Sequence, residues 1–275
     1  MDRNYSMRIF ICTHGRFGRQ LTYDNLPESV QQRVEFVIQQ REAYLWEDSG
    51  LRTLVVPDEI RELPSTREWL HHHTAKKIVM LDDDLVFSVR RTDDPTKFRR
   101  PLATDLESLF TEIEDSLDDY AHVGVSHREG ANRNTDQYLE AGRMMRILAY
   151  NTDVTKAEGV ISNRVPDVED FDVTLQLLKK GYPNRILNNW VHNQGGSNQE
   201  GGCSGYRTPE THDRDVRIFA SLHEGFVKVV KKKTKDNWCA DENGERTDVV
   251  IQWKRAFKFG QANLLDQRAI LSKAQ

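Results

Sequence analysis

Cysteine is scarce in this chain. Three residues of 275, Cys12, Cys203 and Cys239, are odd in number and widely spaced, which argues against a disulfide framework and a thiolate zinc site. Cys12 falls in an apolar run and reads as a small core residue, not a nucleophile. Long hydrophobic runs are also missing: no window approaches the roughly 18 apolar residues of a membrane span. Met1 to Arg8 is polar and lacks the apolar core of a secretory signal, so a cytoplasmic protein with no membrane partner is expected. Nor is there a surplus of positive charge. With 39 basic and 43 acidic residues the net charge is −4, which excludes a globally basic nucleic-acid coat but leaves room for a local basic groove. Hydrophobic residues at 37% and charged residues at 30% describe a rather polar globular chain, long enough for one large domain or two small ones.

Against that background one string stands out. Ile78-Val79-Met80-Leu81 runs straight into Asp82-Asp83-Asp84, and Leu85-Val86-Phe87 follows. Four apolar residues with β-branched members predict a strand buried on both faces. Three acids at its end do not belong in a core, because an unpaired buried carboxylate is too costly. Ligands of open α/β sheets sit at the C-terminal ends of strands, and carboxylates suit Mg²⁺ or Mn²⁺. A solvated acidic turn is the plainer alternative.

The surrounding pattern predicts strands at Met7 to Cys12, Leu51 to Pro57 and Lys77 to Leu81. It predicts helices at Val30 to Tyr44, from the spacing of Val34, Val37, Ile38, Arg41 and Leu45, and at Ser65 to His72, with Ser65 as N-cap and Glu68 completing a capping box. This alternation implies a doubly wound α/β unit with a parallel sheet flanked by helices. Further on, a helix is expected over Asp105 to Tyr120, strands at Val123 to Ser126 and Arg146 to Tyr150, and a helix at Asp172 to Lys180 ended by Gly181. Asn193 to Arg207 is rich in Gly, Asn and Ser and long enough to be functional. A helix is expected over Arg214 to Gly225. No repeat or low-complexity linker intervenes, so the expected organisation is a main unit, 1–225, and an extension, 226–275, packed on it. The triple His71-His72-His73 is no metal site, since consecutive helical residues diverge by about 100°.

Several strings together resemble a known family: Cys12-Thr13-His14-Gly15-Arg16, Val79 to Leu85, Gly124 to Gly130, Glu169-Asp170-Phe171-Asp172 through Leu178, and Gly201 to Thr208. In this order they are similar to the TET/JBP-associated glycosyltransferases, found largely in bacteriophages, over roughly Arg8 to Ala256. The resemblance implies a GT-A-like fold and glycosylation of 5-hydroxymethyl-pyrimidines in DNA. It also implies a nucleotide-sugar donor, UDP-glucose and UDP-N-acetylglucosamine being equally open, with Mn²⁺ or Mg²⁺ as cofactor. The spacing by itself gives only a metal–nucleotide site.

Roles follow from what sugar transfer needs. The leaving diphosphate needs a metal or cationic clamp. Asp84 is the candidate direct metal ligand, Asp82 a ribose or water-mediated contact and second metal candidate, and His192 a late histidine that could join them. Asp83 is a candidate nucleotide-binding acid, with a solvent-facing or backbone-capping role as the alternative, because neighbouring residues of an extended strand face opposite ways. Asp170 is the candidate general base for the acceptor hydroxyl, with Glu169 orienting it; acids in the first turn of a helix also simply complement its dipole. Thr13, His14, Arg16 and Arg67 are expected around the nucleotide. Gly202 and Ser204, in a loop whose glycines let amides approach phosphates, and Arg207 are expected at the diphosphate.

Acceptor DNA has three basic candidates: Lys228 to Lys235 with Trp238 and Trp253 to Lys258, Arg90 to Arg100, and His127 to Arg133. Each could equally be a solvated face. Competing functions are a GT-A enzyme acting on protein, glycan or small molecule, a metal-dependent nuclease or phosphotransferase, and a non-catalytic binding module. Oligomeric state is not legible.

Overall fold

The computed structural model describes residues 6–194, 207–234 and 239–273. Its centre is a ten-stranded sheet. Four strands open the chain: β1 (Arg8–Cys12), β2 (Val34–Gln39), β3 (Thr53–Val56) and β4 (Lys77–Leu81). They lie in the order β3-β2-β1-β4, all parallel. The one-turn helices α1 (Leu21–Asp24) and α2 (Glu28–Gln31), a 3₁₀ turn over Gln40–Leu45 and helix α3 (Leu63–His73) connect them. Every residue of β4 is buried, as expected of a strand covered on both faces.

The rest of the sheet comes from β5 (Leu85–Arg90), β6 (Phe98–Arg99), β7 (His122–His127), β8 (Tyr138–Glu140), β9 (Ile147–Asn151) and β10 (Asn184–Gln194). Strand β9 lies antiparallel between β4 and β7. Strand β10 then pairs parallel to β7 and antiparallel to β5 and β8. Six long strands thus share one direction, and their C-terminal ends meet at one edge. Helices α4 (Ala103–Asp119), α5 (Thr152–Ala157) and α6 (Glu169–Lys179) flank the sheet, and α7 (Pro209–Leu222) follows β10 in sequence. The GT-A-like expectation of a mostly parallel sheet covered by helices holds.

The expected helix over Val30 to Tyr44 is not there. Its first residues finish α2, and Val34–Gln39 form β2, buried at all six positions. The apolar spacing fits a helix, but the uninterrupted run Phe36-Val37-Ile38 suits a strand between two others. The polar members of β2 find partners to the side. Glu35 accepts from Arg8 Nε at 2.8 Å, and Gln39 Nε2 donates to the Ile60 and Arg61 carbonyls at 3.0 and 2.8 Å. Tertiary pairing overrides the local period. Helix α3 also starts earlier than the capping-box pattern suggests, with Glu62 at the N-cap and Pro64 in its first turn, where a fixed φ and a missing N–H cost nothing.

The final residues form a hairpin, β11 (Val227–Lys233) with β12 (Glu245–Ile251), followed by α8 (Trp253–Lys273). Val249 and Ala256 join Val168, Leu175, Leu178, Val216 and Phe219 in one apolar cluster. Helix α8 meets the end of α6 backbone to backbone. A Cβ on Gly260 would lie 2.4 Å from the Leu178 carbonyl oxygen and from Gly181 N. Gly181 holds φ +88°, the left-handed C′ conformation that glycine adopts without strain.

The histidine triple diverges as helical geometry demands: His71 meets Thr155 at 3.1 Å, His72 meets Glu68 at 3.0 Å, and His73 stacks on Trp69. Burial lowers His71 and His122 to about 3. Both are neutral in the folded protein, whereas the unfolded chain protonates them below about 6.5. Their contribution to stability is therefore complete above that pH and is lost as pH falls towards 3. Replacement His71→Gln should reduce the slope of unfolding free energy against pH between 6 and 4 by roughly 1 kcal/mol per pH unit, measured by denaturant titration.

Candidate active site

Strand β4 delivers the three acids, and their backbone is pinned before any side chain is considered. Thr22, fully buried in α1, donates its hydroxyl to the Asp82 carbonyl at 2.6 Å and accepts from Leu85 N–H at 2.8 Å. Its own N–H donates to the Asp83 carbonyl at 3.0 Å, and Asp82 N–H donates to the Arg146 carbonyl at 3.0 Å. The turn is thus fixed from α1 on one side and from the loop before β9 on the other. Thr22 was invisible to motif reading, since nothing in a Leu-Thr-Tyr-Asp string marks it.

The three side chains take three environments. Asp82 Oδ1 accepts from Arg67 Nη2 at 2.8 Å. Asp83 is nearly buried and accepts from Thr13 Oγ1 at 2.7 Å and from Arg16 Nη1. Asp84 lies 3.7 Å from Arg16 Nη1, and Arg146 also favours its charge. Burial, then repulsion from Asp82 and Asp83, raises Asp84 to about 6. A carboxylate in this state gains most from a bound cation, so the donor set fits a hard divalent ion at Asp84. Asp83 instead reads as the residue that ties Thr13 and Arg16 to the turn.

Arg67 connects this turn to α6. Its side chain, 5% exposed, reaches Asp82 with one nitrogen and Glu169, 8% exposed, with the other. Burial opposes its charge, but Glu169 and then Asp82 hold it above the ordinary arginine value. Glu169 is raised to about 7 by burial, with Arg67 opposing. Asp170 borders the cleft, and its Oδ1 accepts from Phe171 N–H at 2.8 Å. Burial raises it too, against the pull of Arg67 and Arg143.

A cleft of about 800 Å³ gathers most of the expected residues: Thr13, His14, Arg16, Arg67, the three aspartates, Glu169, Asp170 and Arg207 all line it. Arg207 pairs with Asp167, which also meets His212 Nδ1. His14 pairs with Glu42 at the β1–β2 side. Gly202 and Ser204 lie outside the described residues. His192 is fully buried and is not among the lining residues. Its ring meets that of His127, which does line the cleft, edge-on with centroids 5.6 Å apart. Burial, then Arg146 and His127, lowers His192 to about 3, against a Val125 backbone contact that favours its charge. Among the described residues no ready-made cluster of three metal-ligating side chains forms.

Several lining arginines escaped sequence reading, Arg143 and Arg146 among them. Arg143 and Arg146 precede β9, whose antiparallel place beside β4 brings them to the aspartates. Arg146 holds φ +64°, a conformation that costs a non-glycine residue of order 1 kcal/mol and clusters at functional sites. Its Nη1 is buried without a hydrogen-bond partner. A basic pair just before a strand is a weak signal until the strand order is known.

The description TET-Associated Glycosyltransferase matches residues 7–202. The chain belongs to this family. It is a glycosyltransferase. The chain is 21% identical over 253 residues to the β-glucosyl-HMC-α-glucosyl-transferases of Enterobacteria phages T6 and T2, covering 84% of this chain and 85% of each relative. Among solved structures, the mannosyltransferase PcManGT of Pyrobaculum calidifontis, in complex with GDP-Man and Mn²⁺, aligns with a TM-score of 0.50 at 12% identity. The alignment covers 97% of this chain and 76% of that one. That likeness concerns the fold.

The Arg67 bridge predicts an unusual pH response. An Arg67→Met variant leaves Glu169 buried without its cation, a loss of about 3 kcal/mol at pH 8 by analogy with broken buried pairs. Because Glu169 can then take up a proton, the deficit should shrink as pH falls towards 6, a comparison of melting curves with wild type.

Proposed function

We propose that this family member transfers a sugar from a nucleotide-sugar, a UDP-sugar in the first instance, to the hydroxymethyl group of 5-hydroxymethylcytosine in DNA, with Mn²⁺ or Mg²⁺ at Asp84. The observation that carries the catalytic half is the acidic turn latched through Arg67 to Glu169, on a cleft lined by further arginines. The acceptor half rests on the family and on the two phage relatives, whose names specify glucosylated hydroxymethylcytosine. Those names also favour a second acceptor, the same base already carrying a glucose.

A divalent ion, when bound, would neutralise charge on the diphosphate. The remaining chemistry belongs to the chain. Thr13 and His14, at the β1 end, border the nucleotide, with Asp82 towards the ribose. Arg16, Arg146 and Arg207 offset phosphate charge. Transfer forms a bond from the acceptor oxygen to the anomeric carbon, while the bond to the diphosphate breaks and its electron pair leaves with the phosphate. In an inverting reaction Asp170 takes the hydroxyl proton, its raised affinity for a proton suiting it to that task; Glu169, charged against Arg67, holds the helix start that carries it. A retaining reaction would not use Asp170 as base.

The decisive assay incubates the protein with Mn²⁺ and a panel of UDP-sugars. The acceptors are unmodified, hydroxymethylated and β-glucosylated DNA, and the products are digested for nucleoside mass spectrometry. A hexose or N-acetylhexosamine mass on the modified base alone supports the reading and names the acceptor. Tight UDP binding without any DNA adduct moves the acceptor to another molecule. An Asp84→Asn variant should lose about 10²-fold or more in turnover and keep its affinity for DNA. Strand scission by wild type would instead favour a nuclease.

A further inference from the structure

Beyond Asp170 the cleft has a second end of different chemistry. Phe171, the next residue of α6, meets Trp253 edge-to-face with ring centroids 5.7 Å apart. The Arg143 guanidinium lies 4.9 Å from the Phe171 ring centroid. Trp253 opens α8 immediately after the hairpin, so the aromatic pair joins α6 to the C-terminal elements. Both rings are half-buried and both line the cleft. A pair serving only to pack would be sealed away, as Phe219 is in the same apolar cluster. Three cations of the hairpin line this end as well: Lys232, Lys233 and Arg246. Asp248 holds two of them, Lys232 Nζ and Arg246 Nη2, each at 3.1 Å.

We propose that Phe171 and Trp253 form a stacking subsite for an acceptor pyrimidine swung out of the DNA duplex, with Lys232, Lys233 and Arg246 holding the phosphates beside it. This rests on the DNA reading above. Asp170 is half-buried and lines the cleft. A hydroxymethyl oxygen must come within hydrogen-bond reach of that carboxylate. A whole duplex does not fit into a cleft of about 800 Å³, whereas an extruded nucleotide does. An extruded base loses its stacking partners and is best received by aromatic faces, and phosphates flanking it call for cations. The cleft supplies the acid, the aromatics and the cations side by side. The donor end, at Thr13 and His14, has no such aromatic pair among its lining residues.

The test uses a duplex with one 5-hydroxymethylcytosine next to 2-aminopurine, titrated with the full chain in the presence of UDP and Mn²⁺. Aminopurine emission should rise as its neighbour leaves the stack. Trp253→Ala should bind this duplex at least tenfold more weakly and give no rise, with nucleotide affinity by calorimetry showing that the fold is intact; Trp253→Phe should restore most of both signals. The exposed pair Lys232→Ala and Lys233→Ala, which does not touch the core, should weaken binding and flatten the dependence of log affinity on log salt by about two while keeping the emission rise. The subsite is overturned if wild type glycosylates the duplex with flat emission, or if Trp253→Ala binds and reacts as wild type does. Wild type that neither binds nor glycosylates DNA overturns the DNA reading, and the subsite with it, before any variant is made.

Discussion

A single guanidinium holds the site together. Arg67 lies in the first half of α3, and its two terminal nitrogens reach Asp82 at the end of β4 and Glu169 at the start of α6. Three elements distant in sequence therefore share one charge. Arginine suits the position because its planar fork serves two carboxylates at once and does not give up its proton. A lysine could not span both acids. Burying this group costs several kcal/mol, which the two acids offset only while both are ionised. The arrangement is therefore weak evidence for stability but good evidence for a fixed geometry. It sets the distance between the acids that face the donor and the acid proposed to face the acceptor.

The sheet order explains why the bridge has neighbours of the right charge. Had β9 run parallel to β4, its preceding loop would lie at the far edge of the sheet. Because it is antiparallel, Leu81 opposes Ile147, and the loop carrying Arg143 and Arg146 arrives where β4 ends. The Arg146 carbonyl then caps Asp82 N–H while its side chain faces the cleft. The left-handed backbone at Arg146 lets one residue do both. Repulsion among the aspartates and the orphaned Nη1 of Arg146 are opposite halves of the same condition: the site is charged in both signs and incompletely satisfied, as expected of a place that awaits a charged ligand.

Much of this was legible in the sequence, for identifiable reasons. Ile78 to Leu81 followed by three aspartates could be read because a buried strand and a carboxylate cluster obey incompatible solvation rules, which locates the boundary between core and site. Thr13, Arg16, Arg67, Glu169 and Asp170 were found through ordered motifs, and the fold brings them to one cleft. Three features were hidden. Strand β2 carries a spacing that suits a helix and becomes a strand only because β1 and β3 flank it. Thr22 acts through backbone contacts that leave no chemical signature. Arg143 and Arg146 depend on an antiparallel strand inserted between parallel ones, which local pattern does not encode. His192 shows the converse: a residue type suited to metal, whose ring meets His127 rather than lining the cleft.

Net charge is a poor guide to what such a protein handles. On the proposed reading, a chain at −4 must meet both a nucleoside diphosphate and a polyanionic duplex. Some of its surface cations are paired away from the cleft, while others gather at the cleft. Arg91 and Arg99 are committed to Asp93 and Asp105, so that basic loop is largely neutralised where it stands. Along β11 all four lysines are exposed, three of them consecutive at Lys231, Lys232 and Lys233, and the strand ends at the cleft with Lys232 and Lys233. Fields add locally and are screened within about 10 Å at ordinary ionic strength. A strand of lysines beside the site therefore influences an approaching phosphate more than a slight acidic surplus spread over the remaining surface.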